Sequence, residues 1–182
     1  LAKQCDAVCF GTLGQRLERA QSTIQNFITS ASQAVRLFDL NLRQDYFSAE
    51  TIETGCINAS IIKMNETELS TVSTLLGIGH EDPVSALIKR FNLDLFVLTR
   101  GRCGTTLHTA DSAIAGQQVE YKAEPNADSV GAGDACSAAI LHGIVRRWPL
   151  QKTANLANRL GAYVASCKGA TPPLPPHLLP DS

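Results

Sequence analysis

Short apolar runs alternate along this chain with stretches of helical period. Residues 6–12, DAVCFGT, form an apolar run closed by glycine, the pattern of a fully buried parallel strand. Residues 17–31 set Ile24, Phe27, Ile28 and Ala31 on one stripe, which predicts an amphipathic helix. The pattern then predicts a strand over 35–40, a helix around 48–57, a strand ASIIK over 59–63 and a helix starting at NETELSTVSTLL. A helix over 81–92 follows, with Val84, Leu87, Ile88 and Phe91 inward. DLFVLTRGRCGTTLH predicts strand, glycine turn and strand, and a further strand is expected near 119–121. After an irregular EPNA segment, Cys136, Ile140 and Ile144 recur four residues apart among Ala132, Ala135, Ala138 and Ala139, a helix of small residues. Residues 153–167 form the last helix, with Leu156, Leu160, Tyr163 or Val164, and Cys167 toward the core. Strands alternating with helices imply a parallel α/β sheet covered on both faces.

Composition narrows the class. The 182 residues make one domain or most of one, and 44% apolar content with a net charge of −1 argues against disorder and against a nucleic-acid partner. Six cysteines, at 5, 9, 56, 103, 136 and 167, form no C-x-x-C pair, so reduced, buried thiols are expected rather than disulfides or zinc. The histidines at 80, 108, 142 and 177 have no metal-ligand spacing. No apolar run reaches membrane length and no signal peptide is visible, so a cytoplasmic protein without a membrane partner is expected. The chain starts at Leu1 and its single methionine is Met64, the look of the C-terminal part of something longer. The tail PPLPPHLLP is extended by proline geometry.

The chemistry gathers in residues 128–142, DSVGAGDACSAAILH. Gly131, Ala132 and Gly133 let the backbone turn sharply and meet an anion closely. A small-residue loop feeding a helix N-terminus offers unpaired N–H groups and a positive dipole end, which suit phosphate. Asp134 within that turn is either a helix cap or a general base accepting the proton of an attacking hydroxyl. Three further places stand out. DLNLR (39–43) lies at the C-terminal end of a predicted strand, where ligands of parallel sheets collect, so Asn41 and Arg43 either contact substrate or tether the loop. Asn65 and Glu68 are three apart at a helix start, nearly a capping box. Asn155 and Asn158 sit together on a different face of the last helix from its core positions.

Residues 128–141 resemble the C-terminal signature of the ribokinase-like (PfkB-type) carbohydrate kinases, D-T-x-G-A-G-D followed by a small-residue helix, with Ser129 in place of Thr and Cys136 in place of Phe. D-x-N-x-R at 39–43, K-x-N-x-x-E at 63–68, T-x-G-x-x-G at 99–104 and K-G-A-T-P at 168–172 extend the resemblance from Asp6 to the proline tail. It covers only the family's C-terminal portion. The resemblance implies a ribokinase-like three-layer α/β/α sandwich with a mostly parallel sheet, its N-terminal part and lid missing. On that basis residues 1–182 are the nucleotide-binding and catalytic part of a kinase domain, with a Pro-rich tail at 172–182.

The resemblance assigns roles. Asp134 is the catalytic base facing the sugar hydroxyl, and the N–H groups of Gly131, Ala132, Gly133 and Asp134 form the anion hole. Asn41 and Arg43 contact the sugar; Asn65, Thr99, Gly101, Gly104 and Asn158 hold the nucleotide, with Arg100 and Arg102 adding positive charge. Glu68 and Asn65 organise Mg2+ through water, and Asp128, Val130, Ala165 and Gly169 match a monovalent-cation site, K+ in some relatives. The activity implied is transfer of the ATP γ-phosphate to a hydroxyl of a fructose- or ribose-like sugar. One rival keeps the fold as a nucleotide-binding but catalytically incompetent fragment. The other, a dinucleotide-dependent oxidoreductase, is opposed by the absence of G-x-G-x-x-G after the first strand. A sheet ending at Asp6 exposes an edge, and self-association as a homodimer is the expected response.

Overall fold

Runs buried on both faces place the strands in a computed structural model that describes residues 1–79 and 81–179. His80 and the last three residues of the Pro-rich tail lie outside the described residues. The strands are β1 (Ala7–Phe10), β2 (Val35–Asp39), β3 (Ile61–Asn65), β4 (Leu95–Thr99), β5 (Thr105–His108) and β6 (Ala113–Ala115), in the sheet order β1-β2-β3-β4-β5-β6. β1 to β4 run parallel, with Leu37 opposite Ile61 and Ile61 opposite Leu95. Ile61, Ile62, Lys63 and Met64 are buried in succession rather than alternately, as a parallel strand covered on both faces requires. The α/β class and the mostly parallel sheet therefore stand as expected.

The chain divides into two units: residues 1–99 with 107–113, and residues 100–106 with the chain from Ile114 onward. The first holds helices α1 (Glu18–Ser30), α2 (Ala49–Asn58), α3 (Glu66–Leu76) and α4 (Pro83–Phe91). Its core is built of large side chains, among them Phe38, Ile52, Met64, Leu87 and Phe96, and Phe10 stacks on Phe38 with ring centroids 5.0 Å apart. Cys56 belongs to this core; burial pushes its thiol pKa up to about 12, so it stays neutral and packs as a small apolar group. The second unit packs α5 (Ala132–Val145) against α6 (Leu150–Ser166). Here small residues set the spacing: a Cβ on Gly143 would lie 2.3 Å from Thr153 Oγ1.

Three expectations are corrected. No strand forms near 119–121; the sixth strand is Ala113–Ala115 instead. Asparagine amides of α6 take up the backbone groups of Gln117 that a strand ladder would use. The third strand begins at Ile61 rather than 59, because Ala59 still closes α2 through its N–H to Cys56 O. None of the six cysteines is in a disulfide, but only Cys56, Cys136 and Cys167 are buried. Cys9 is exposed on β1, which has one neighbour in the sheet order, and Cys103 is exposed in a one-turn 3₁₀ helix, Gly101–Cys103. Among the described residues no helix is long and apolar enough to cross a membrane.

Candidate active site

In the first unit, the chemistry lies where parallel strands end. β2 ends at Asp39 and β3 carries Lys63 opposite it, and their side chains form an almost buried ion pair with Nζ 2.7 Å from Oδ2. That pair locks the two strand ends from which the DLNLR loop and α3 depart. Asn41 sits in the left-handed region at φ 44°, which turns the loop sharply, and the Asn41 and Arg43 side chains are exposed. Asn65 caps α3 by accepting the Glu68 N–H at 2.9 Å, while Glu68 Oε2 accepts the Asn65 N–H at 2.8 Å. The capping box weighed above is thus formed. Glu68 does more: its Oε1 accepts the Leu42 N–H at 2.9 Å, so one carboxylate clamps the DLNLR loop to the start of α3. Thr99, at the end of β4, stands in register with Asn65.

In the second unit, Gly131 begins α5 at φ 81°, a left-handed conformation, with no side chain to cap the helix. A Cβ there would fall 2.1 Å from Ala170 O, so glycine is demanded twice, by conformation and by space. Ala132 N–H turns back to Ser129 O at 3.2 Å, whereas the amides of Gly131, Gly133 and Asp134 have no backbone partner among the described residues. The expected hole of four amides is therefore three free donors and one weakly engaged. Asp134 lies in the first turn of α5, exposed, and its carboxylate has no hydrogen-bond partner among the described residues. The capping alternative for Asp134 is not what the structure shows.

The glycine turn of the same unit is closed by Arg100 N–H to Gly104 O at 2.9 Å and Gly104 N–H to Gly101 O at 3.0 Å. Gly101 and Gly104 have φ of 53° and 80°, conformations that L side chains rarely adopt. Arg100 donates to Thr106 Oγ1 at 2.6 Å, and Arg102 is exposed. Asn158 is buried; its Oδ1 accepts the Thr105 N–H at 2.8 Å and its Nδ2 donates to Gln117 O at 3.0 Å. Asn155 Oδ1 accepts the Gln117 N–H at 2.8 Å, so the two asparagines grip one residue from both sides. Both amides thus serve the backbone beside the turn. Asp128 N–H donates to Cys167 O at 3.2 Å and Asp128 Oδ1 accepts the Val130 N–H at 2.9 Å, which brings the 128–131 loop against the end of α6, where Ala165 and Gly169 lie.

These residues suit some ions better than others. Among the described residues no group of three or more His, Cys, Asp or Glu side chains could hold a metal ion, and both Glu68 oxygens already accept N–H groups. Mg2+ retained with its own waters near one carboxylate fits this set; a directly liganded ion does not. The Glu68–Leu42 bond and the Lys63–Asp39 pair were not singled out by sequence reasoning. The Asp and Lys of the two motifs that contain them were the available signal.

Comparisons with known proteins follow the same lines. A fructokinase of Salmonella thompson is 27% identical over 151 residues, covering 76% of this chain and 65% of its own length. Fructokinase-1 of Oryza sativa subsp. japonica is 29% identical over 189 residues, covering 96% of this chain and 57% of its own. The chain spans 65%, 47% and 57% of the length of the fructokinases of Salmonella thompson, Salmonella typhimurium and rice that it matches. An aminoimidazole riboside kinase from Salmonella enterica, solved with aminoimidazole riboside and an ATP analogue, superposes with a TM-score of 0.76 at 26% identity, covering 93% of this chain and 60% of that one. A model of the pfkB family carbohydrate kinases matches residues 3–177, and with the glycine-started helix and its open aspartate in place, the chain belongs to that family.

Proposed function

We propose that this chain carries the phosphoryl-transfer machinery of an ATP-dependent sugar kinase, with fructose the first substrate to test. The observation that carries the reading is Asp134: an exposed, unpartnered carboxylate in the same helical turn as the free amides of Gly133 and Asp134. Asp134 accepts the proton of the sugar hydroxyl as its oxygen bonds to the γ-phosphorus and the bond to the β-phosphate oxygen breaks, releasing ADP. The free N–H groups, aided by the α5 dipole, hold the equatorial oxygens of the transferred group. Asn41 and Arg43 orient the sugar. Thr99 and the Gly101–Gly104 turn bind the phosphates of ATP, and Asn158 acts by holding that turn in shape. Asn65 and Glu68 would hold a hydrated Mg2+ through its waters, which would neutralise charge at the phosphates, and Asp128, Val130, Ala165 and Gly169 would offer their carbonyls to K+.

Related names among the kinases matched here, fructokinases and a riboside kinase, support sugar and ATP as substrates. A cytoplasmic location and a homodimer belong to the same proposal. The test is coupled ADP release over fructose, ribose, a keto-deoxy acid and a nucleoside, with ATP and magnesium. Sugar-dependent turnover, greatest with fructose, is expected. ATP binding with no sugar-dependent ADP release supports the non-catalytic reading instead.

A further inference from the structure

A second concave site lies within the unit formed by α5 and α6, a cavity of about 520 Å3 lined by Trp148, Lys152, Asn155, Arg159, His177 and Leu179, among others. That volume falls in the range of small-molecule sites. None of the residues assigned above to transfer lines it. Lys152 and Arg159 bring positive charge, His177 adds more when protonated, and no carboxylate is among the described residues that line it. Lys152 Nζ stands 3.6 Å from the Trp148 ring centroid, and Trp148 meets His142 edge-on at 5.0 Å, so the indole is fixed from two sides. Arg159 Nε is buried with no hydrogen-bond partner among the described residues. Arg159 itself is half-buried and lines the cavity, and its unpaired Nε–H is a donor that an anion drawn against it would satisfy.

We propose that this cavity binds a phosphomonoester of sugar size. A guanidinium and an ammonium recognise the phosphate, while the indole and the Asn155 amide face the body of the molecule. The site also reaches the transfer machinery. Asn155 lines the cavity and accepts the Gln117 N–H, and Gln117 O accepts from Asn158, which holds the Gly104–Thr105 turn. A ligand against Asn155 therefore bears on the shape of that turn without touching Asp134.

Trp148 is the single tryptophan of the chain, so tryptophan fluorescence reports from the lining of this cavity. The experiment titrates fructose 6-phosphate, inorganic phosphate and fructose into the protein at constant ionic strength. A saturable fluorescence change with fructose 6-phosphate is expected, at a midpoint at least tenfold below that for phosphate and with none for fructose. Arg159→Gln should raise the midpoint at least tenfold. Lys152→Gln, at an exposed position, should raise it at least threefold and decides the matter if the Arg159 variant does not fold. A change that does not saturate, or a midpoint untouched by Lys152→Gln, overturns the proposal. Phosphate binding as tightly as the ester overturns the sugar-phosphate assignment.

Discussion

Two helices of this molecule begin with the same spacing and opposite outcomes. In α3 the cap is Asn65 and the acid three residues on is Glu68; in α5 the cap is Gly131 and the acid three residues on is Asp134. Asn65 has extended backbone and a side chain that accepts the Glu68 N–H, so Glu68 can fold back and close the box. Gly131 has no side chain and a left-handed backbone, and Asp134 is one methylene shorter than Glu68. Glu68 is consumed by two N–H groups, whereas the Asp134 carboxylate and the amides of Gly131, Gly133 and Asp134 have no partner among the described residues. The N-terminal turn of a helix is thus closed once as a fastener and left open once. The cap residue decides which.

The largest effect that this contrast predicts is on turnover. Asp134→Asn should lower kcat for sugar phosphorylation by about 10²–10⁴-fold, the typical loss of a general base. Because Asp134 caps nothing, the melting temperature should stay within a degree of the parent. Unchanged turnover would remove Asp134 from the chemistry, and a lowered melting temperature would make it a fastener like Glu68.

Next comes the cap itself. Gly131→Ala forces an L residue into φ 81°, which costs about 1–2 kcal/mol, and drives its Cβ against Ala170 O. A total loss of at least about 2 kcal/mol in chemical denaturation is expected. At Gly161, where a Cβ would meet Ala132 O at 3.3 Å and the backbone is helical, alanine should cost less. Equal losses at the two positions would mean that the left-handed start of α5 is not what fixes the loop.

The alternation of apolar runs and helical stripes was enough to place α1 to α6 and β1 to β5 to within a few residues, because a strand buried on both faces and an amphipathic helix leave different periods in the chain. The sixth strand was displaced because its neighbourhood is organised from a distance: Gln117 is gripped by Asn155 and Asn158, 38 and 41 residues further on. For the same reason the sequence could offer the Asn158 amide to a nucleotide without showing that backbone groups already occupy it. The sharp turn ahead of α5 was legible in Gly131, Ala132 and Gly133, though not that Gly131 alone carries the left-handed start. That Ala132 N–H turns back to Ser129 was not, because alanine carries no mark of where its amide points. Nor was the reach of Glu68 to Leu42, 26 residues upstream.

The smallest effect belongs to the fastener, and it sharpens the contrast most. Glu68 meets two N–H donors with two oxygens, from Leu42 on Oε1 and Asn65 on Oε2. In Glu68→Gln one oxygen can still accept, but the new NH2 faces the other N–H, so one bond is lost and two donors oppose each other. A loss of about 1 kcal/mol is expected, comparable to the loss of a helix cap and worth about 2–4 °C in melting temperature for a chain of this size. Amide exchange at Leu42 separates the two bonds: faster exchange there means that the tie to the DLNLR loop is the one released. Melts with ATP, run with and without magnesium, then ask whether the same carboxylate also meets the waters of the ion. If magnesium raises the melting temperature of Glu68→Gln and of the parent equally, Glu68 is a fastener only, and the metal role falls away. A smaller magnesium response in the variant makes Glu68 both clamp and outer ligand.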